Sequence, residues 1–255
     1  MKMRLAALLL AAVVWAGSPL SATMAIIWAG PDGARHPYVG IAIFFAGGQP
    51  THFCSGTLLS PTVFLTAGHC TTGTDLAIVS FDSVFTGGSP ITFGTPFTHP
   101  DYGTPLPNTR DVGVVVLASD VVMGGYGALP DVGEIDDLAT RRGLSSQLFT
   151  IVGYGDQAIV PFPAFEPVRY FGTPQLVTLE SALTGGFNVH LSGNAGRRAP
   201  GGACFGDSGG PALIGGTSVV GGVASFVLND NCTGASLYYR VDTEDAQAFI
   251  LGFLD

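Results

Sequence analysis

Lysine occurs once, at position 2, and the chain has only 10 basic residues against 19 acidic ones, with 11% of its positions charged. Nucleic acids and anionic lipid surfaces are held mainly through Lys and Arg, so a chain this poor in cations excludes both as main partners. Long apolar runs are also lacking. The run at 5–14 falls well short of the roughly 20 residues that a membrane-spanning helix needs. No repeat of fixed period and no low-complexity tract is present. No pair of histidines or cysteines has metal-ligand spacing, so neither a metal nor another cofactor is expected.

The remaining composition belongs to a packed protein. Of the 255 residues 47% are apolar, which excludes disorder and suffices for one large β-domain or two small ones. Gly 37 and Pro 17 imply many turns. Lys2 and Arg4 precede the apolar run, and small residues follow at Ala16, Gly17, Ser18, Ser21 and Ala22, the layout of a secretory leader. Thr23-Met24-Ala25 offers a cut before Ile26, and a cut after Ala22 is nearly as good. Residues 1–25 are therefore read as a signal peptide and the product as secreted and extracellular. Its loss leaves 8 basic and 19 acidic residues, a net charge of −11. Export also suits the four cysteines, Cys54, Cys70, Cys204 and Cys232, because disulfides persist outside the reducing cytosol. By themselves the four permit three pairings.

After the leader come short apolar runs broken by turn residues. Strands are expected at 39–45, 57–66, 76–81, 112–118, 147–153, 175–179, 211–214, 218–226 and 236–241. The pattern is all-β. Only 243–254 reads helical, with Ala246, Phe249, Ile250 and Phe253 at helical spacing and Asp242 or Thr243 as N-cap. The segment 119–137, rich in Gly and Asp, is the expected connection between two halves of similar size. Arg197-Arg198, in a Gly-rich stretch, reads as a solvated loop.

Gly206-Asp207-Ser208-Gly209-Gly210 sets one serine among glycines and fits G-x-S-x-G. Taken alone, this is as readily a plain turn as a nucleophile. The order of partners discriminates. His36, His52, His69, His99 and His190 all precede Ser208, whereas an α/β-hydrolase needs its histidine after the serine. The order His, Asp, Ser remains. It is met by His69 in 65–70 (LTAGHC), Asp111 in 110–117 (RDVGVVVL) and Ser208 in 204–211 (CFGDSGGP). His36, His52 and His190 sit in no matching motif and read as ordinary surface or core residues.

Together these three segments closely resemble the chymotrypsin-like (trypsin-like) serine proteases over roughly 26–255. The resemblance implies two six-stranded antiparallel β-barrels with a C-terminal helix. The first, 26–125, would hold His69 and Asp111, and the second, 126–255, would hold Ser208, the specificity pocket and the helix. It implies a secreted endopeptidase, monomeric, acting on proteins or peptides through an acyl-enzyme. Ser208 would be the nucleophile, His69 the general base and then acid, and Asp111 the carboxylate that orients the imidazole. The Gly206 and Ser208 amides would form the oxyanion hole. The resemblance selects the pairs Cys54 with Cys70 and Cys204 with Cys232. His99 would lie in a loop bordering the substrate cleft.

The pocket for the side chain before the scissile bond would have its base at Gly202, with Ala203 beside it and no charge, so basic specificity is not expected there. Its other wall would be Ser225-Phe226-Val227, whose backbone would pair with an extended substrate, while Ser225 would support Asp111. Val227 and Ser236 would narrow it to an elastase-like pocket for small or medium apolar residues. Ser225 and Cys232 stand two residues further apart than in trypsin. Family members begin Ile-Val-Gly-Gly after activation, and the new amine pairs with the aspartate before the serine, here Asp207. This chain has Ile26-Ile27-Trp28-Ala29 and no basic activation site before it, which suggests that signal peptidase itself releases the Ile26 amine. The second functional class is a non-catalytic, protein-binding relative.

Overall fold

The computed structural model describes residues 26, 29–138, 147–157, 165–193 and 200–254. The expected leader, Ile27 and Trp28 of the expected mature N-terminus, and Arg197-Arg198 lie outside the described residues. The first strand, β1 (Gly30–Pro31), is short. Six more follow: β2 (Val39–Ala46), β3 (Gln49–Leu58), β4 (Val63–Thr66), β5 (Leu76–Ser80), β6 (Thr92–Thr98) and β7 (Gly113–Leu117). They close into a barrel in the order β2-β3-β4-β7-β6-β5, with a single helical turn, α1 (Gly68–Thr71), between β4 and β5. Phe44, Leu58, Phe64, Leu65, Val79 and Val114 are buried in its core.

The run 57–66, expected as one strand, is the end of β3 and all of β4. Ser60 and Pro61 break it: the Ser60 Oγ accepts from the amides of Thr62 and Val63, and the Leu59 amide donates to the Val63 carbonyl at 2.8 Å, closing a hairpin. Most of β3 and all of β6 were not expected. Pro50, His52 and Gly56 interrupt the apolar alternation of β3, and Gly94 and Pro96 that of β6. Both are drawn into the sheet by flanking strands that match the pattern well.

The second half has β8 (Phe149–Gly153), β9 (Tyr170–Gly172), β10 (Leu176–Thr178), β11 (Asn188–Gly193), β12 (Pro211–Ile214), β13 (Val220–Val227) and β14 (Gly234–Arg240). With β1 they form one eight-stranded sheet ordered β1-β9-β8-β12-β13-β14-β11-β10. A bridge between Leu148 and Gln175, flanked by the Phe149 amide on the Pro174 carbonyl and the Leu176 amide on the Gln147 carbonyl, joins β8 to β10. Six strands thus form the second ring, closed by that one bridge, and β9 and β1 extend outward from β8. The expected pair of barrels holds with this modification.

The helix α2 (Glu244–Leu251) starts where expected: Thr243 is the N-cap, its hydroxyl accepting from the Ala246 amide, and Glu244 and Asp245 place negative charge at the positive end of the helix. Ala246 and Ile250 join the core of the first barrel, and Phe249 and Phe253 contact the rings of His99 and Phe97. The chain's last element therefore packs back on its first half. No helix among the described residues is long and apolar enough to cross a membrane.

The seam between the halves is fixed by a buried cation. Arg169, 2% exposed, donates Nε to the Asp32 carboxylate at 2.8 Å, and its Nη groups reach the carbonyls of Gly33, Val39 and Phe81. Burial pushes the Asp32 carboxyl up, but hydrogen bonds from His36 and Arg169 outweigh it and leave the group below its ordinary value. Removing one partner strands a charge in the interior. Arg169→Met is expected to destabilise the protein by about 3–5 kcal/mol in denaturant unfolding. A loss within the ordinary surface range of about 0.5 kcal/mol would contradict the buried pairing.

Candidate active site

His69 stands in α1, directly after β4, and the disulfide Cys54–Cys70 ties that turn to β3. Asp111 stands two residues before the start of β7, which pairs with β4. This pairing brings two residues 42 apart in sequence into contact. The Asp111 carboxylate, 4% exposed, accepts from the His69 backbone amide at 2.8 Å, from the imidazole Nδ1 at 2.9 Å and from the Ser225 hydroxyl at 2.5 Å. With Nδ1 donating to a carboxylate, the proton-accepting lone pair of the ring lies on Nε2, the arrangement a general base requires. The ring is partly open, its side chain 31% exposed.

Ser208 lies in the loop that enters β12. The Ser208 carbonyl accepts from the Ser55 amide at 2.8 Å, and the Gly206 carbonyl accepts from the Ser55 hydroxyl at 2.9 Å. The peptide units that carry the Gly206 and Ser208 amides are themselves held from the carbonyl side, the Phe205 carbonyl accepting from the Asp156 amide at 2.7 Å and the Asp207 carbonyl from the Gly210 amide at 2.8 Å, and the two amides have no acceptor among the described residues. Two free amides at one corner suit a developing oxyanion. Gly206 has φ +93, and a Cβ there would lie 2.4 Å from the Phe53 ring, so this position admits only glycine. The second disulfide, Cys204–Cys232, fastens the same loop to the segment after β13. In the chain-entropy account each bridge contributes about 3–4 kcal/mol.

His69 and Ser208 border one cavity of about 450 Å³. Of the other residues expected at the pocket, Ala203, Ser225, Phe226 and Val227 line it, whereas Gly202 and Ser236 stand behind its wall. Gly202 is packed against β11, where a Cβ would lie 2.8 Å from the Gly193 Cα, and the buried Ser236 hydroxyl accepts from the Ala203 amide. The disulfide partner Cys204 also lines it, and Phe205, Ala224, Leu228, Asn229, Asp230 and Leu237, none of them indicated by the sequence, complete the lining. Beyond the Pro211–Val223 pair the β12–β13 ladder ends, and the edge of β13 at 225–227 faces no strand on that side among the described residues.

Asp207 is 2% exposed and accepts from the amides of Cys204 at 2.9 Å and Gly155 at 2.8 Å. Burial pushes its carboxyl up to about 7, the two amides working against that shift and the charge of Asp156 adding to it. A Cβ at Gly153 or Gly155 would fall 2.2 or 2.6 Å from this carboxyl group, so both positions must be glycine. Alternate glycines at the end of an apolar run are a legible sign of a close approach. Ile26 is buried, its side chain packed near Gly172 and Gly201. In the intact chain its nitrogen is a peptide amide. His99, 4% exposed, faces Asp245 and the Phe249 ring. Cys54, His69 and Cys70 form the one grouping of metal-ligand types among the described residues, and both of its sulfurs are bonded to each other.

A family model described as Trypsin matches residues 29–158. Among solved structures, HL collagenase superposes with a TM-score of 0.68 at 18% identity, covering 86% of this chain and 94% of that one. GrC superposes with 0.68 at 19%, covering 90% and 99%, and human heparin binding protein with 0.66 at 18%, covering 90% and 96%.

The raised Asp207 carboxyl has a consequence for stability. In the fold this group keeps its proton up to about pH 7, whereas its ordinary value is 3.8, so its contribution is full below about pH 4 and is lost as pH rises toward 7. Between pH 4 and 7.5 the stability of the leader-bearing chain, taken relative to its Asp207→Asn variant, should fall by on the order of a few kcal/mol in denaturant unfolding. A difference independent of pH would contradict this account of the site.

Proposed function

The chain belongs to the trypsin family, and from that premise we propose that it is a secreted serine endopeptidase in which Ser208, His69 and Asp111 carry the reaction. The observation that supports this most is the His69–Asp111 pair opening onto the same cavity as Ser208. With a substrate in place, His69 Nε2 takes the Ser208 proton as Oγ attacks the scissile carbonyl. The oxygen that becomes negative is received by the Gly206 and Ser208 amides. Asp111, itself held by Ser225, supports the imidazolium, which then protonates the leaving amine. The same steps with water in place of the amine release the acyl group.

The substrate chain is read as an added strand on the free edge of β13. The uncharged lining at Ala203 and the bulk of Val227 favour small or medium apolar side chains at the cut. The enzyme acts as a monomer on proteins or peptides. The leader is cut after Ala25, and the Ile26 amine then neutralises Asp207. Sequencing the N-terminus of the secreted protein should give Ile26, and a start at Thr23 would refute the amine pairing.

A fluorophosphonate probe separates this reading from a non-catalytic binding relative. The folded protein should be labelled, and Ser208→Ala and His69→Ala should lose labelling, with kcat/KM on peptides lowered by roughly 10⁴- to 10⁶-fold. Folded protein that stays unlabelled would favour the binder.

A further inference from the structure

The two extra residues between Ser225 and Cys232 build a feature at the mouth of the cavity. Val227 ends β13, and the next residues form a tight loop closed by one side chain. The Asn229 Oδ1 accepts from the amides of Asn231 and Thr233, its Nδ2 donates to the Thr233 carbonyl at 2.7 Å, and the Cys232 amide donates to the Asn229 carbonyl at 3.0 Å. Cys232 is anchored in turn by its disulfide to Cys204. This loop is fastened at both ends, so it presents its side chains in defined positions.

One of those side chains is Asp230, exposed and bordering the cavity that also holds His69 and Ser208. Among the described residues it has no ion-pair partner, and apart from His69 it is the one titratable group in the cavity lining. Phe205, 50% exposed, and Phe226 lie on the same lining. A cavity lining that carries one carboxylate and two aromatic side chains is a favourable setting for an organic cation, which gains from both.

The free edge of β13 says where along a substrate this cation would lie. Ser225 touches Asp111 and so marks the end of the edge near the reacting bond. An antiparallel substrate strand then runs upstream past Phe226 and Val227 and emerges over the loop, placing Asp230 beside a residue about three or four before the cut. Resting on the endopeptidase reading above, we propose that Asp230 is a specificity-determining residue that selects lysine or arginine at that upstream position. The apolar preference at the cut itself is unaffected, because Asp230 belongs to the rim and Ala203 to the floor.

The test uses one fluorogenic peptide with alanine at the cut and lysine, norleucine or glutamate at the third or fourth residue upstream. The wild-type protein should prefer lysine to glutamate in kcat/KM by about three- to tenfold, a preference that shrinks in 0.5 M salt. Asp230→Asn should bring the ratio near one while leaving the norleucine peptide as good a substrate as before, and Asp230→Lys should invert it. A ratio near one in the wild type, or one that survives in Asp230→Asn, would overturn the proposal. If no peptide is cut, the endopeptidase reading has failed by itself. Anisotropy with the same peptides labelled, on the intact protein and on Asp230→Asn, then decides: lysine-selective binding lost in the variant supports the assignment, and unselective or absent binding sinks it.

Discussion

A single hydroxyl-bearing residue sets the two halves of this protein in register. Ser55, on β3 of the first barrel, gives its amide to the Ser208 carbonyl and its hydroxyl to the Gly206 carbonyl, takes a hydrogen bond on that hydroxyl from the Tyr154 amide, and takes another on its own carbonyl from the Thr66 hydroxyl. Thr66 ends the strand that leads into the His69 turn. One fully buried residue therefore measures the serine loop against the histidine strand. Within a low-dielectric seam such bonds are stiff, because each buried polar atom is costly to leave unpaired. Gly209 shows how tight the fit is, since a Cβ there would stand 2.0 Å from the Thr66 hydroxyl oxygen.

Nothing in the sequence marks Ser55, an ordinary serine in a strand whose alternation is poor. The residues that it aligns are legible for the opposite reason. His69, Asp111 and Ser208 sit in segments whose local composition is unusual and whose chain order excludes one of the two common scaffolds. Disulfide partners followed from the same resemblance, and the structure has both pairs. Strands written as short, nearly unbroken apolar runs, such as β2, β5 and β7, were found close to their observed limits. Those with Gly or Pro inside, such as β6, or only three residues long, such as β9, exist because neighbours pair with them. Gly202 and Ser236 illustrate a further limit: an offset from the serine gives a place along the chain, but the direction a side chain takes is decided by packing, here against Gly193 and the Ala203 amide.

Three of the four buried aspartates among the described residues show how the fold distributes charge across its seam. Asp32 meets the Arg169 guanidinium and the His36 ring, and its carboxyl is held below the ordinary value. Asp111 meets an imidazole, a hydroxyl and a backbone amide. Asp207 meets two backbone amides and no cation among the described residues, and its carboxyl is pushed up to about 7. The contrast between Asp32 and Asp207 follows from elementary electrostatics: amide dipoles lower the cost of a buried charge, and an opposite charge lowers it further.

That contrast gives Asp207 its significance. It precedes Ser208, the proposed nucleophile, and its carboxyl group fixes the Cys204 amide at the start of the serine loop and the Gly155 amide beyond it. A group poised near neutrality in the intact chain would be driven to full ionisation by any ammonium brought against it, because an opposite charge at contact distance outweighs desolvation that two amides have already partly offset. The segment that could deliver one is already nearby in the sense that matters energetically: the Ile26 side chain is buried among Gly172 and Gly201 before any amine exists. The entropy of placing that segment is thus partly met by apolar burial and by the Asp32–Arg169 pair just beyond it, so a cut before Ile26 would create the amine on a segment whose first side chain is already packed.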